Sequence, residues 1–168
     1  MPAAGQVYAG SRLTAAMLQG VAPLSAYKGS PQSSLNSTTL ANDSTLFIPL
    51  QANAVYSFLL ILGYNGGTQG SSDLKLGWSL PSGSSMGYSL YGNNTSGSAT
   101  DGPWETASST PALGTNGTGT NLGGVAQGTI ATGSTAGNMQ LQWAKNSTSV
   151  STLTTVLTGS VLLAWQVQ

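Results

Sequence analysis

Residues 54–64, AVYSFLLILGY, form the strongest apolar segment of the chain and include the uninterrupted run Phe58–Leu62. A run of this length bounded by turn-forming residues is typical of a buried β-strand. Its continuous apolarity predicts burial on both faces of that strand. We therefore expect the fold to be built around this segment.

Seven further segments have the character of short strands separated by clusters of Gly, Asn, Ser and Pro. Residues 73–80 show the clearest alternation of apolar and polar side chains, which is the period of a half-buried strand. The other six segments are Thr45–Leu50, Met86–Tyr91, Val125–Ala131, Met139–Trp143, Ser151–Leu157 and Ser160–Val167. About eight strands predict an all-β fold, an antiparallel β-sandwich of jelly-roll type, over residues 38–168.

The N-terminal residues 1–37 have a different pattern and predict an extended arm with one short helix. Ser11 is a suitable N-cap, and Leu13, Met17 and Leu18 recur near helical spacing before Gly20. The rest of the arm contains two prolines and many serines, which favours an extended tether rather than a second domain.

Residues 92–122 predict a long polar loop, which is uncommon in a compact domain and tends to be functional or mobile. Trp104 is a large aromatic residue inside this loop. It is either a contact residue or is packed on the surface of its own domain. The other tryptophans, Trp78, Trp143 and Trp165, lie in alternating segments and are expected in the core or in a subunit interface.

The chain has four basic and four acidic residues, no cysteine and no histidine. The basic residues are scattered along the chain and form none of the Lys and Arg clusters that bind nucleic acids or anionic membrane surfaces. We therefore expect neither a nucleic acid nor a membrane as a partner. Without histidine or cysteine the commonest general base and the thiolate ligands are missing, so we expect no catalytic, metal or cofactor site. Solubility must come from Ser, Thr, Asn, Gln and Gly, which suits permanent contact with neighbours.

The least implausible enzyme site is a pair of carboxylates, Asp101 and Glu105, that flank Trp104 as in glycoside hydrolysis. A solvated loop explains the same residues with no requirement for convergent geometry, and we favour it. The N-terminus lacks the pattern of a signal peptide, and no segment is long and apolar enough to span a membrane.

Residues 33–168 resemble a β-domain of virion proteins from tailed phages that infect actinobacteria. The resemblance lies in the opening strand pair around FIPLQANAVYSFLLILGY, in DLKLGWSLPSG at positions 73–83, and in LQWAKN at positions 141–146, which leads into a terminal hairpin. These are packing signatures, and the long loop at 92–122 departs from the pattern.

The resemblance implies a phage structural protein on the capsid exterior, a decoration (cement) protein that binds the major capsid protein at symmetry axes and stabilises the shell. The small size of the chain favours this role over a tail-tip or fibre component. We expect a homo-oligomer, a trimer, whose arm staples adjacent subunits. A host-surface adhesin that binds glycan through the loop at Trp104 is the alternative from a different class. The expected capsid or subunit contacts are Arg12, Leu13, Met17, Leu18 and Tyr27, with Trp104 as an exposed loop contact.

Overall fold

The computed structural model describes residues 10, 12, 22–34, 37–99, 102–147 and 152–167. In this part of the chain all regular structure is β-sheet. The strands are β1 (Leu24–Tyr27), β2 (Gln32–Ser34), β3 (Ala41–Leu50), β4 (Val55–Asn65), β5 (Leu74–Ser79), β6 (Ser85–Tyr91), β7 (Trp104–Thr106), β8 (Ala112–Leu113), β9 (Leu122–Ala131), β10 (Gly137–Lys145), β11 (Thr154–Val156) and β12 (Val161–Gln166).

The strands form two antiparallel sheets that pack face to face. The larger sheet has the order β1-β12-β4-β9-β6-β7, with β11 paired to both β4 and β2, and the smaller sheet has the order β3-β10-β5-β8. The four-strand sets β1-β12-β4-β9 and β3-β10-β5-β8 are ordered as in a jelly roll, a sandwich made of two Greek keys. The predicted all-β sandwich is therefore confirmed.

The hydrophobic core lies between the sheets and is made by alternate residues of each strand. Trp78 of the smaller sheet packs edge-on between Phe58 and Tyr88 of the larger one, with ring centroids 5.4 and 6.1 Å away. Such aromatic pairs stabilise beyond the area they bury. This cluster joins the two sheets at the centre of the sandwich.

Strand β4 is buried on one face only, which corrects the expectation of burial on both faces. Phe58, Leu60 and Leu62 are buried, but Ile61 between them is 47% exposed. The strand is central within its sheet, yet no layer of the described chain covers the other side. Its continuous apolar run therefore supplies both a core and an apolar outer surface.

All eight predicted strands are present, and four short strands were missed. Strands β1 and β2 lie in residues predicted to be an extended tether, and they instead pair with β12 and β11 of the larger sheet. Strands β7 and β8 lie in the predicted polar loop and pair with β6 and β5. The predicted helix of the arm involves Leu13, Met17 and Leu18, which lie outside the described residues.

Two buried side chains fix the described part of the 92–122 segment to the sandwich. The Tyr64 hydroxyl donates to the carbonyl of Gly114 at 3.0 Å, and the amide of Thr115 donates to Asp73 Oδ1 at 2.9 Å. Gly114 is required here because a Cβ at that position would lie 2.0 Å from the carbonyl oxygen of Asn94. Within the predicted long polar loop, the described residues thus include two short strands and are fixed to the sandwich by these contacts.

A buried ion pair connects the N-terminal segment to the smaller sheet. Lys28 Nζ lies 2.8 Å from Asp43 Oδ2 and 2.9 Å from Asp43 Oδ1, and both side chains are fully buried. Trp143 Nε1 also donates to Asp43 Oδ2 at 3.1 Å. Lys28 additionally donates to the Gln32 side chain. Charges removed from water are tolerated when their hydrogen-bonding capacity is satisfied in this way.

The same carboxylate supports a bulge in β3. The pairing of β3 with β10 shifts between Gln140, which faces Phe47, and Gln142, which faces Asn42. Within the bulge the amides of Thr45 and Leu46 donate to Asp43 Oδ1 at 3.0 and 2.9 Å. Asp43 therefore satisfies backbone groups that the interrupted ladder leaves unpaired.

Three pKa values reflect this packing. Burial by itself would raise the pKa of Asp43, but hydrogen bonds from Lys28, Thr45 and Leu46 and the charge of Lys28 outweigh it, so the pKa is lowered. Burial, with the charge of Asp73 nearby, raises the pKa of Tyr64 to about 12. Burial, with the charge of Glu105, raises the pKa of Tyr88 to about 12.

Removing one member of the ion pair should strongly destabilise the fold. We expect Asp43→Ala to lower the free energy of unfolding by about 3–5 kcal/mol, because it leaves the Lys28 ammonium buried without its counter-charge. The measurement is chemical denaturation at neutral pH. Lys75→Met is the control, since Lys75 is only half-buried, and it should cost about 1 kcal/mol or less. Equal denaturation midpoints for Asp43→Ala and the wild type would contradict the assigned role.

The stability of the protein should be nearly constant across neutral pH and fall at both extremes. Asp43 has a lowered pKa, so its contribution is present above about pH 4 and is lost as the pH falls through the lower folded value. The two tyrosines have raised pKa values, so their contribution is complete below about pH 10 and is lost as the pH rises towards 12.

Thermal midpoints measured from acid to alkali test this profile. Tyr88→Phe should reduce the alkaline loss, because it removes one of the two buried hydroxyls. With no histidine in the chain, a drop in midpoint between about pH 6 and 7 would contradict the explanation.

Candidate functional site

The outer face of the larger sheet, the side turned away from the core, carries a continuous row of apolar side chains. The strand registers place Tyr27 opposite Val161, Val161 opposite Ile61, Ile61 opposite Val125, and Val125 opposite Tyr91. We call these five residues the apolar row. It crosses five strands, a span of about 19 Å at the usual strand spacing. Its two ends are aromatic, and Tyr27 is 62% exposed.

The outer face of the smaller sheet has a different character. There Phe47 lies opposite Gln140, and Pro49 lies opposite Asn138. Phe47 is 40% exposed, but its neighbours across the strands are polar. Only the larger sheet therefore presents a contiguous apolar surface, which is the kind of patch that marks an interaction site.

A shallow groove of about 480 Å³ lies beside the apolar row on the same outer face. Trp165 of β12 and Trp104 of β7 lie at its two ends, and Gln127 lies between them. The remaining lining residues are Ser57, Phe58, Leu59, Ser89, Gly128 and Thr129. No charged residue lines the groove, and its hydroxyl and amide groups are open to a ligand that can form hydrogen bonds.

Trp104 is held in position by a glycine in the neighbouring strand. Its indole ring lies over Gly87, where a Cβ would come 2.3 Å from Trp104 Cζ2. The side chain is nevertheless 68% exposed. Trp104 was expected either to be a contact residue or to pack on the surface of its own domain. One side of its ring packs on its own sheet, and the rest of the ring is exposed and available for contact.

Most of the charged residues in the described part of the chain lie in its interior. Seven of the eight charged residues fall in the described part of the chain. Four of these seven, Lys28, Asp43, Asp73 and Lys145, are fully buried. The described surface therefore carries only Arg12, Lys75 and Glu105, of which the last two are half-buried. The exterior is even closer to uncharged than the composition indicates.

The predicted contact residues lie in different parts of the molecule. Arg12 is exposed. Tyr27 belongs to the apolar row, and Trp104 borders the groove. Leu13, Met17 and Leu18 are outside the described residues.

Of the two carboxylates considered for glycoside hydrolysis, only Glu105 lies in the described part of the chain. Asp101 lies outside the described residues. Glu105 is adjacent to Trp104 in β7, and successive side chains of a strand point to opposite faces of the sheet. Glu105 thus faces away from the groove, so Glu105 and Trp104 do not present their side chains on the same face of the sheet.

Within the described ranges no group of three or more acidic residues could hold a metal ion. No helix in the same part of the chain is long and apolar enough to cross a membrane.

The apolar row was not recognised in the sequence, although part of its signal was present. Val161, Leu163 and Trp165 alternate along the last strand, and they share its outer face. Trp78 and Trp143 are core residues as expected, whereas Trp165 is exposed. The core side of β12 is instead formed by the smaller set Leu162 and Ala164.

Comparisons with known proteins give limited information. No protein-family model matches the chain, and no curated protein matches it. A structure of the infectious bursal disease virus Gx strain aligns with 86% of this chain and 38% of the viral chain, at 15% identity and a TM-score of 0.28. The VP2 subviral particle of that virus aligns with 88% of this chain and 40% of its own, at 12% identity and a TM-score of 0.23. This chain thus spans well under half the length of those viral chains, and similarity of this degree carries no argument about function.

Proposed function

We propose that this chain is a structural protein of a bacteriophage virion, a decoration protein that binds the outer capsid surface at symmetry axes as a homo-oligomer and stabilises the shell. The observation that carries the proposal is the charge distribution, with four of the seven described charged side chains buried and a nearly uncharged exterior. The resemblance to actinobacterial phage virion proteins agrees with it.

An uncharged exterior supports a role in permanent assembly for a physical reason. Free soluble proteins depend on net charge to remain separate, and this chain has a formal net charge of +0. A subunit that is always in contact with neighbours has no such requirement. Many modest contacts repeated by symmetry can then stabilise a shell without large charge complementarity.

The anchoring of the N-terminal segment supports a clamp formed by the residues before it. Strand β1 is an edge strand of the larger sheet, and Lys28 directly after it is locked to Asp43. The preceding residues therefore leave the body from a fixed position. In the proposal Arg12, Leu13, Met17 and Leu18 contact the major capsid protein, while Tyr27 contacts a neighbouring subunit.

Capsid binding should depend on the apolar residues of the arm. We expect the variant Leu13→Ser, Met17→Ser, Leu18→Ser to fold normally and to lose most of its occupancy on purified heads that lack this chain. The control is Leu153→Ser, which changes an exposed apolar residue of the body. Occupancy is measured by cosedimentation, and images of decorated particles locate the chain. Unchanged occupancy of the triple variant, or images that place the chain on the tail, would refute the decoration role.

The groove favours a second candidate function, a host-surface adhesin that binds neutral glycan. Sugars bind to proteins by stacking on exposed aromatic rings and by hydrogen bonds from hydroxyl and amide groups, and the groove has both between Trp165 and Trp104. In this case we expect Trp104→Ala to abolish binding to a glycan array or to host cells. Phe47→Ala, which removes a ring of the opposite sheet, is the control. Equal binding by both variants, or no binding by the wild type, would reject this function.

A further inference from the structure

We propose that the apolar row on the outer face of the larger sheet is the interface at which copies of this chain associate with one another. The inference deepens the proposed decoration function, in which a homo-oligomer was expected without any assigned surface. The row comprises Tyr27, Val161, Ile61, Val125 and Tyr91, whose side chains are adjacent across five strands.

The apolar row is exposed at its centre and at both ends. Ile61 at its centre is 47% exposed although it belongs to a central strand, and Tyr27 and Tyr91 at its ends are 62% and 39% exposed. Leu59 of β4 and Leu163 of β12 are paired with each other, two positions away from Ile61 and Val161, and they extend the apolar surface on the same face. Contact between an apolar surface of this kind and water is unfavourable, and covering the surface with a partner lowers the free energy of the system.

The absence of charge on this described face indicates which partner suits it. None of the row or groove residues carries a charge, so a partner must bring apolar and uncharged polar groups to this face. A typical protein is about a quarter charged and would bring charges that lose their water against apolar side chains without finding a counter-charge. This chain is 5% charged and keeps most of its described charges inside. A second copy therefore matches the face better than a partner of ordinary composition.

The outer faces of the two sheets differ in character. The smaller sheet presents Gln140, Asn138 and Gln142 outward around Phe47. This polar face, which also carries Lys75 of β5, can remain in water or can meet a polar surface. The two faces of the sandwich thus have different roles, and only that of the larger sheet requires a cover.

Substitutions on the two faces test the inference. We expect the purified full-length wild type to be oligomeric in sedimentation velocity, and Ile61→Lys to weaken self-association by roughly 30-fold or more, because the lysine would be buried without a counter-charge at the centre of the interface. Phe47→Lys is the matched control, with similar exposure on the opposite sheet, and should remain oligomeric. Tyr27→Ser, at an edge strand, provides a second test that should weaken association without disturbing the core.

The outcomes separate this interface from the other proposals. A monomeric wild type, or loss of association in Phe47→Lys but not in the folded row variants, overturns the interface. Association through the row by a chain that is absent from phage heads would support the interface and refute the decoration role. Binding of glycan at Trp104 by the wild-type oligomer, with the apolar row still exposed to solvent, would also overturn the proposed interface. The outer face of the larger sheet cannot be buried between subunits and open to a ligand at the same time.

Discussion

The buried contact between Lys28 and Asp43 is the constraint on which the arrangement of this sandwich depends. It joins a residue directly after the edge strand of one sheet to a bulge in the edge strand of the other. Asp43 serves at once as counter-charge to Lys28, as acceptor for Trp143 Nε1, and as acceptor for two backbone amides. Because each acceptor and donor has a partner, the pair can remain charged in the interior, and it specifies how the sheets meet at that edge.

This use of charge explains the unusual surface. In most soluble domains charged residues lie outside and maintain solubility, whereas here four of the seven charged residues in the described ranges are in the interior. The apolar groups fill the core and also reach the exterior, since strand β4 has enough of them to line the core and to form part of the outer face. Buried polar contacts thus help to fix the arrangement of the strands, while the outer face of the larger sheet is suited to apolar contacts with a partner.

The strands were predictable because alternation and turn residues are local properties of the sequence. The position of Phe58–Leu62 was predictable for the same reason, but its burial was not, because an apolar run does not show whether a second layer covers the strand. The bulge at Asp43 could not be inferred, since it depends on the register with β10 and on a lysine 15 residues earlier. The apolar row joins residues from five strands, and only the pairing of those strands makes them neighbours. Trp104 was recognised as exceptional, but its support on Gly87 is a contact between strands that spacing alone does not reveal.

The pairing of β1 with β12 has a consequence for how the molecule folds. Leu24 lies opposite Ala164, so the first described strand reaches its place only beside the last one. During synthesis the larger sheet must wait for almost the entire chain to emerge, and the apolar segment of β4 remains without its neighbour β12 until then. Topologies with such distant pairings fold slowly, because closing a long loop costs conformational entropy before the contacts that compensate for this cost have formed. A nascent chain of this protein is therefore exposed to association before its folding is complete, and its rate of synthesis relative to folding bears directly on its yield.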